Sequence, residues 1–315
     1  MLHKLLVLVF LFILFGCSRT PLEPQNPENK LLKKNPPEGF IINEAGYEAE
    51  IIAEGLTSPE GVGQMGNGIL FATDAINGQV IKIEPSGRNI IFAQIPYNSP
   101  PSPALVDILI DKNRGIFVNL LRHGKIFRVT FSGQVSEFVS GLNYPSFLAL
   151  DKEDNIYVSE LYSYKITRVD PNGNKTTVIE MNSQNRPRGI VFDNEGRLYV
   201  SSAFTGEVRR YDIQNAVTLP LHLNDGILIA TIPGISSNYQ LQDLTLSLDG
   251  DLFAVGNNNI YRVKLTGEVT TFASGLTGLY NTLQVDNKGN LIISDYKNGQ
   301  EGAGIVIEVS KQKNI

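Results

Sequence analysis

Most of the chain alternates short apolar runs, rich in Val, Ile, Leu, Phe and Tyr, with small polar turns. The runs are short and are bounded by Gly, Asn, Asp or Pro, which is typical of β-strands. Three stretches repeat this order closely, with an apolar strand, an acidic turn and a second apolar strand that ends in serine. They are residues 148–159, 190–201 and 283–294. The pattern therefore predicts an all-β chain built from repeated units.

The unit occurs six times. Looser copies lie at 62–73, 108–119 and 244–255, and successive copies start 39 to 54 residues apart. Each unit continues with a third and a fourth strand, joined by a turn such as Pro171-Asn172-Gly173. Asn and Gly tolerate the positive φ angles that tight hairpins need. Because a period of about 40 to 50 residues with four strands is typical of propeller blades, the sequence predicts a six-bladed β-propeller of four-stranded antiparallel blades.

The last unit stops after its third strand, at residues 304–309. A strand-like segment lies at 47–53, ahead of the first unit. We therefore expect the N-terminal strand to complete the last blade and close the ring, which pairs an otherwise exposed sheet edge. This predicts one propeller domain, 40–315. The fourth unit carries extra residues at 214–223, which form either a surface elaboration or a lid.

The N-terminal segment predicts a targeting signal. An apolar run at 5–15 follows His3 and Lys4, and it is too short to cross a bilayer as a helix. The run ends Leu14-Phe15-Gly16-Cys17, which resembles the lipobox of bacterial lipoproteins. The resemblance implies a signal peptide at 1–16 and acylation of Cys17, for example with palmitate; the alternative is an ordinary secretory signal with a chance cysteine.

Residues 17–39 are rich in proline and polar residues and predict an extended tether. The chain is thus expected to be anchored by lipid to a bacterial cell envelope, facing the periplasm or the exterior, with the outer membrane favoured where one is present.

Composition narrows the functions. The net charge is -5, so a nucleic-acid partner is not expected. Cys17 is the single cysteine, which excludes an intramolecular disulfide and a Cys-based zinc site. The sequence contains no Gly-rich phosphate loop, so no nucleotide partner is expected.

Residues that start the innermost strand of each blade should face the central channel at one mouth. Counting along the aligned units gives a candidate ring of Glu60, Val106, Ser146, Arg188, Gln242 and Asn281. The residues one position later are Gly61, Asp107, Phe147, Gly189, Asp243 and Thr282, which reach the channel if the strand starts are irregular.

The stretch 186–201, followed by 206–212, resembles an NHL repeat and is similar to units of the senescence-marker/gluconolactonase superfamily of six-bladed propellers. The resemblance spans about 47–309. It implies a metal held by Glu in the first blade, Asn in the third and fourth and an acid in the fifth. Glu60 matches, whereas Ser146, Arg188 and Gln242 depart from this pattern.

No cofactor is expected at the ring, and the alternative is Ca²⁺ or another divalent metal on a rearranged set. That set is Glu60, Asp107 and Asp243, with Asn281 as a further ligand. The other use of Asp107 and Asp243 is to bond backbone amides at the strand starts. The two uses are distinguished by whether the three carboxylates converge.

Two functions remain open, besides a purely structural envelope component, which predicts no defined pocket at either mouth. The preferred one is a binding or scaffolding module for an envelope protein or glycan, because aromatic residues are expected around the mouth: Tyr97, Tyr144, Tyr239 and Tyr280. The same tyrosines can instead pack between blades, and Arg188 can hold a ligand carboxylate or pair with a neighbouring acid. The alternative is a metal-dependent lactone or ester hydrolase. His123 and His222 fall outside the ring, so a Ser-His-Asp triad has no support.

Overall fold

A computed structural model describes residues 34–97, 104–238, 240–278, 281–296 and 302–312. The predicted signal peptide, Cys17, Tyr239 and Tyr280 lie outside these ranges. The regular secondary structure of the described residues is almost entirely β-strand, with two short 3₁₀ helices at Leu121–His123 and Leu223–Asp225. It contains no helix that is both long and apolar enough to span a bilayer.

The strands form six sheets of four or five strands, in which each core of four neighbouring strands is antiparallel. The first blade comprises β3 (Pro59–Gly66), β4 (Ile69–Asp74), β5 (Gln79–Ile83) and β6 (Asn89–Gln94). The second comprises β7 (Leu105–Asp111), β8 (Gly115–Leu120), β9 (Lys125–Val129) and β10 (Val135–Val139). The third comprises β11 (Pro145–Leu150), β12 (Ile156–Glu160), β13 (Lys165–Val169) and β14 (Lys175–Glu180). The fourth blade comprises β15 (Pro187–Phe192), β16 (Leu198–Ser202), β17 (Glu207–Tyr211) and β19 (Ile227–Thr231). The fifth comprises β20 (Leu241–Leu246), β21 (Leu252–Gly256), β22 (Asn259–Val263) and β23 (Val269–Ser274). The sixth comprises β24 (Leu283–Val285), β25 (Leu291–Asp295), β26 (Gly304–Lys311) and β2 (Tyr47–Leu56).

The innermost strands contact one another in chain order, and the strand of the sixth blade returns to that of the first. The six-bladed propeller predicted from the repeats is therefore confirmed. Ring closure by the N-terminal strand is confirmed as well, because β2 pairs antiparallel with β26 from Tyr47 opposite Lys311 to Leu56 opposite Gly304. A strand from the start of the domain thus completes the last blade.

Two further short strands tie neighbouring parts of the ring together. β1 (Ile41–Ile42) adds a fifth strand to the fifth blade through β23, and the backbone of Lys34 pairs with Ile51 of the closing strand. Residues within and just after the predicted tether therefore contact the propeller. The insertion at 214–223 contains β18 (Leu221–His222), which pairs parallel with β14 of the third blade. The extra loop of the fourth blade thus lies against its neighbour.

The apolar core lies between the blades. Buried side chains from the facing surfaces of adjacent sheets form clusters, one of which joins the fifth and sixth blades through Phe253, Phe272, Leu291 and Ile307. The fourth residue of the inner strand in each of the first five blades packs into these layers, as does Leu283 of the sixth, so each blade is held mainly by its two neighbours. The inner strands line a central channel, and their first residues form one of its mouths.

Candidate functional site

An irregularity at the start of the inner strands shapes the channel mouth. In the first five blades the register between the inner strand and its neighbour shifts there, as between Leu105 and Ile108. Such a bulge breaks the two-residue alternation of a strand, so successive residues can face the same side. Both sets of ring positions predicted from the sequence are accordingly buried around the channel.

At most of the strand starts, a backbone N–H group donates a hydrogen bond to a polar side chain that lies twelve residues further along the chain. Gly61, Asp107, Phe147 and Thr282 donate their backbone N–H groups to Thr73, Asn119, Ser159 and Ser294, over 2.7 to 3.0 Å. In the fourth blade the hydroxyl of Ser201 donates to the carbonyl of Gly189. The serine that ends the aligned repeats therefore holds the ring, a role that the sequence pattern shows only as a recurring residue.

Glu60 begins the ring in the first blade. Its backbone carbonyl accepts hydrogen bonds from the hydroxyls of Thr282 and Ser294 in the sixth blade, which fixes the backbone across the closure. Its side chain is 9% exposed, and no described residue hydrogen-bonds to the carboxyl group. Burial raises the pKa of Glu60 to about 8, although Arg188 and Arg122 act in the opposite direction. The carboxyl group therefore keeps its proton at neutral pH.

Arg188 occupies the ring in the fourth blade, three blades away, so it lies diametrically across the channel from Glu60. It is 5% exposed. Its guanidinium donates to the amide oxygens of Gln240, at 3.3 Å, and Gln242, and lies 5.7 Å from the centre of the Phe147 ring. Side chains from the third and fifth blades thus orient this cation.

The remaining ring residues differ on the two sides of the Glu60–Arg188 axis. Gln242 and Asn281 lie on one side, and Asn281 donates from its amide nitrogen to the carbonyl of Gly278 at 3.1 Å. The buried Oδ1 of Asn281 has no hydrogen-bond partner among the described residues. On the other side lie Val106 and Ser146, whose hydroxyl donates to the carbonyl of Tyr144. One half of the mouth is therefore rich in amides and the other is not.

Asp107 and Asp243 form a second layer, also diametrically opposed, one position further along their strands. Each carboxylate accepts the backbone N–H of the next residue in its own strand and a second N–H from the following blade, namely Leu148 for Asp107 and Leu283 for Asp243. The four distances are 2.7 to 3.0 Å. The two aspartates therefore join neighbouring blades, which is the second use anticipated for them.

Burial raises the pKa of both aspartates, to about 7 for Asp107, even though the backbone N–H groups lower it. For Asp243 burial, followed by the charge of Asp107 across the channel, raises the pKa well above its ordinary value. The pair does not carry two full negative charges at neutral pH. Below this layer the inner strands of all six blades enclose a cavity of about 260 Å³.

Two glycines allow this layer to form. A Cβ on Gly61 would lie 2.8 Å from the backbone of Asp107, and one on Gly189 would lie 2.4 Å from the backbone nitrogen of Leu244. These separations are too short for any side chain. The first and fourth blades therefore need glycine so that the aspartate-bearing strands can approach, which gives the ring an approximate two-fold character.

The donors at this mouth do not fit a divalent cation. The described residues contain no group of three His, Cys, Asp or Glu side chains close enough to hold a metal. Arg188 brings a positive charge to the ring and binds the amide oxygen of Gln242, while the oxygens of Asp107 and Asp243 already accept backbone N–H groups. The set of Glu60, Asp107 and Asp243 remains a prediction, and no reaction step below uses a metal.

Aromatic side chains form a rim on the same side of the third and fourth blades. The rings of Tyr144 and Tyr162 meet edge to face at 4.4 Å. The guanidinium of Arg186 lies 5.2 Å from the centres of Tyr162 and Tyr164 and 4.6 Å from that of Phe204. Of the tyrosines anticipated at the mouth, Tyr144 belongs to this rim, whereas Tyr97 lies 6.4 Å from the ring of His123 on the second blade.

Two residues near the mouth were not anticipated from the sequence. Arg122 affects the pKa of Glu60 from a 3₁₀ turn of the second blade, and Gln240 holds Arg188 from the loop before β20. Both lie in loops that differ from blade to blade, so the repeat alignment gives no column in which to find them.

These features define a six-bladed β-propeller with a polar channel mouth built around a buried acid and a buried arginine. No protein-family model and no curated protein matches the sequence. Solved structures do match. They include a gluconolactonase from Xanthomonas campestris, with a TM-score of 0.67 and 15% identity over 88% of this chain and 97% of that one. Virginiamycin B lyase from Staphylococcus aureus gives 0.57 and 15% over 84% and 99%, and a luciferin-regenerating enzyme gives 0.63 and 14% over 84% and 95%.

At these identities the likeness shows the fold, and the resemblance to gluconolactonase-like propellers is confirmed at that level. All three of these structural neighbours are named as enzymes.

Proposed function

We propose that the Glu60 mouth of the channel is the active site of a lactone or ester hydrolase that works without a divalent metal. The observation that carries this proposal is the buried carboxyl group of Glu60, whose pKa burial raises to about 8, opposite the guanidinium of Arg188 that Gln240 and Gln242 hold. A neutral carboxylic acid at neutral pH is suited to donate a proton to a leaving oxygen. The enzyme names of the structural neighbours agree with a small-molecule site in a propeller of this type.

In this reaction water adds to the carbonyl carbon of the substrate and loses a proton to solvent. Negative charge develops on the carbonyl oxygen, where Arg188 stabilises it. The C–O bond then breaks, the leaving oxygen takes the proton of Glu60, and Glu60 regains a proton from solvent. Both residues act at the channel mouth, so the substrate must be small enough to enter between the blades.

The test is turnover of D-glucono-1,5-lactone and p-nitrophenyl acetate by the purified chain in weakly acidic buffer, where spontaneous lactone opening is slow. We expect hydrolysis above the uncatalysed rate, unchanged after EDTA treatment, and its loss in Glu60→Gln. A Ca²⁺ and Mn²⁺ titration in the same samples addresses the metal prediction directly, because a bound metal raises the Tm by mass action. Activity that disappears with EDTA and returns with metal would contradict the metal-free proposal.

A second candidate function is recognition of an envelope protein or glycan through the aromatic rim, defined as Tyr144, Tyr162, Tyr164, Arg186 and Phe204. Its support is the stacking of Arg186 against three rings, one of which belongs to Tyr162, a side chain that is 46% exposed. Exposed aromatic and arginine side chains are frequent at binding surfaces.

For this candidate we expect Tyr162→Ala to abolish binding to a glycan array, and Phe131→Ala, an exposed aromatic residue at the other end of its blade, to leave binding intact. Equal binding by both variants and the unaltered chain would contradict a role for the rim.

Attachment to a membrane through Cys17 is also a proposal, supported by the segment Leu14-Phe15-Gly16-Cys17. We expect the chain, expressed in a bacterium with an alkyne-labelled palmitate, to carry the label and to sediment with membranes. Cys17→Ser should lose both properties, since two or more acyl chains are needed for stable anchoring. Label that persists in Cys17→Ser would contradict the proposal.

A further inference from the structure

Three rings of the aromatic rim form a cage between the third and fourth blades. The walls of this cage are Tyr162 and Tyr164, from the turn between β12 and β13, and Phe204, from the turn between β16 and β17. The guanidinium carbon of Arg186 lies 5.2 Å from the centres of both tyrosine rings and 4.6 Å from that of Phe204. Because an aromatic face attracts a cation within about 6 Å of its centre, the cage already holds a positively charged group.

The backbone at Tyr164 shows that this wall of the cage is strained. Tyr164 has a φ of 57°, and its carbonyl accepts the N–H of Met181, which follows the fourth strand of the blade. The residues that accept the corresponding hydrogen bond in four other blades have φ between 61° and 70°, and they are Gly78, Gly124, Gly206 and Asn258. Gly and Asn tolerate this left-handed conformation, whereas a bulky side chain is disfavoured in it. A strained residue of this kind points to a function for its side chain.

The walls are held in place from two blades. Tyr144 meets Tyr162 edge to face at 4.4 Å and supports its ring from outside the cage. The side-chain amide of Asn185 donates to the hydroxyl of Thr205 at 3.1 Å, which joins the loop that carries Arg186 to the turn that carries Phe204. The ring of Tyr162 is exposed, so a small molecule can reach the cage from solvent.

Arg186 itself is held by few polar contacts. Its Nε donates to the carbonyl of Ser183 at 3.1 Å, and it forms no ion pair with a described carboxylate. At this half-exposed position an arginine that turns outward is hydrated at once, so it gives up one hydrogen bond and its ring contacts. A quaternary ammonium group suits the same space, because it carries a positive charge and needs no hydrogen-bond partner.

We propose that the cage binds a small organic cation of the quaternary ammonium type, and that Arg186 occupies the site as an intramolecular competitor which the ligand displaces. The inference goes beyond the proposed hydrolase, because it involves neither Glu60 nor the channel. It also goes beyond recognition of a glycan or a protein by the rim, because it assigns a charged small-molecule ligand to a defined site.

The test is calorimetric titration of the full chain with choline and with 3,3-dimethylbutan-1-ol, its uncharged counterpart of nearly the same shape. We expect choline to bind at least about tenfold more tightly, because the ring faces attract a positive charge and give a neutral group of equal size no such attraction. Equal affinity for the two compounds, or binding of neither by the unaltered chain and by Arg186→Ala, would overturn the inference.

The competition by Arg186 has its own readout. Arg186→Ala should bind choline at least about threefold more tightly than the unaltered chain, because the cage is then no longer occupied by an internal cation for part of the time. Arg88→Ala, which removes the same charge from an exposed side chain of the first blade, is the matched control and should leave the affinity unchanged. An affinity in Arg186→Ala that equals or falls below that of the unaltered chain would contradict the competition.

Substitutions in the walls distinguish binding from packing. Tyr162→Phe keeps the ring and should keep choline binding, whereas Tyr162→Leu should weaken it at least about tenfold. Tyr164→Gly should also weaken choline binding while the Tm stays equal or rises, because glycine relieves the strained backbone. Choline binding that persists in Tyr164→Gly together with a lower Tm would assign this tyrosine to packing and contradict the inference.

Vesicles identify the source of the quaternary ammonium group. The chain with Cys17→Ser, which cannot be acylated at that position, is sedimented with phosphatidylcholine vesicles and, as a control, with phosphatidylglycerol vesicles. Choline binding with sedimentation on phosphatidylcholine alone supports a lipid headgroup as the ligand, and choline binding without sedimentation supports a free cation. A rim that binds a glycan but not choline would overturn this inference and keep the second candidate function, and lactone turnover tests the hydrolase independently of both.

Discussion

Glu60→Gln is expected to reduce kcat/KM for lactone hydrolysis at least about 100-fold, which is the usual contribution of a positioned general acid. An amide has nearly the shape of a protonated carboxyl group but gives no proton to a leaving oxygen. Because Glu60 is already neutral in the folded protein at neutral pH, the substitution changes chemistry with little change in charge. Glu153→Gln, on an exposed turn, is the matched control and should keep full activity.

The pH profile of the unaltered chain checks the same role. Hydrolysis that needs the protonated acid should decline as the pH rises through about 8, the raised pKa of Glu60. A kcat/KM in Glu60→Gln within about threefold of the unaltered chain, or a profile that keeps rising above that pH, would remove Glu60 from the mechanism.

Stability provides a second readout for Glu60, with a definite sign. The folded protein holds the proton up to about pH 8, whereas the unfolded chain releases it near 4.5. Between these values the folded state binds more protons, so its free energy of unfolding falls as the pH rises and levels off above the folded pKa. Glu60→Gln lacks this loss, so its Tm relative to the unaltered chain should be higher at pH 9 than at pH 5.

The architecture could be predicted from the sequence because it is periodic. The six repeats give the blade number, and the incomplete last unit with a spare strand at 47–53 gives the closure, observed as Tyr47–Leu56. The channel ring was predicted by counting from the repeats, and its residues are buried at the starts of the inner strands, whereas Arg122 and Gln240 were not anticipated. Repetition converts a weak local strand signal into a strong one.

The chemistry of the mouth could not be derived in the same way. Alternation predicts that Glu60 and Gly61, or Gln242 and Asp243, point to opposite faces, but the bulges at the strand starts bring both layers to the channel. The sequence left open whether Asp107 binds a metal or the backbone, because that depends on the N–H of Leu148 in the next blade. The partners of Arg188 named above come from the third and fifth blades and share no motif.

The insertion at 214–223 shows another limit. Sequence reasoning left it as a surface elaboration or a lid, and the structure places Leu221 and His222 in a two-residue parallel strand on the third blade. A strand of this length has no recognisable pattern of apolar residues. Its position is set by pairing with β14 at the outer edge of the third blade, and the sequence does not show that these two segments meet.

Breaking the closing strand should destabilise the whole ring. Glu50→Pro is expected to lower the free energy of unfolding by about 3 kcal/mol, because proline removes a ladder hydrogen bond and its ring obstructs the pairing strand. Two backbone hydrogen bonds show to which side the N–H and C=O groups of successive residues in β2 point. The carbonyl of Gly46 accepts from the N–H of Gln312, so Gly46 faces β26. The N–H of Ile51 donates to the carbonyl of Lys34, so Ile51 faces away from β26. By alternation the N–H of Glu50 faces Glu308 of β26, and that of Ala49 faces outward.

Ala49→Pro is therefore the matched control, one residue away on the same strand, and should cost about 1 kcal/mol or less because no β26 hydrogen bond is lost. Equilibrium unfolding in urea measures both variants, with equal slopes required for the comparison. Equal losses in the two variants would contradict the alternation argument and the role of this pairing in closure.

The same variant connects closure to the site. The carbonyl of Glu60 is held by Thr282 and Ser294 of the sixth blade, whose outer strand is β2. When β2 separates from β26, the sixth blade loses its edge strand, so the blade that holds the carbonyl of Glu60 in place is weakened. In Glu50→Pro we therefore expect lactone hydrolysis to be lost at a lower urea concentration than the bulk of the β-sheet signal, whereas in Ala49→Pro the two should disappear together. Coincident loss in both variants would mean that closure and the channel mouth unfold as one unit.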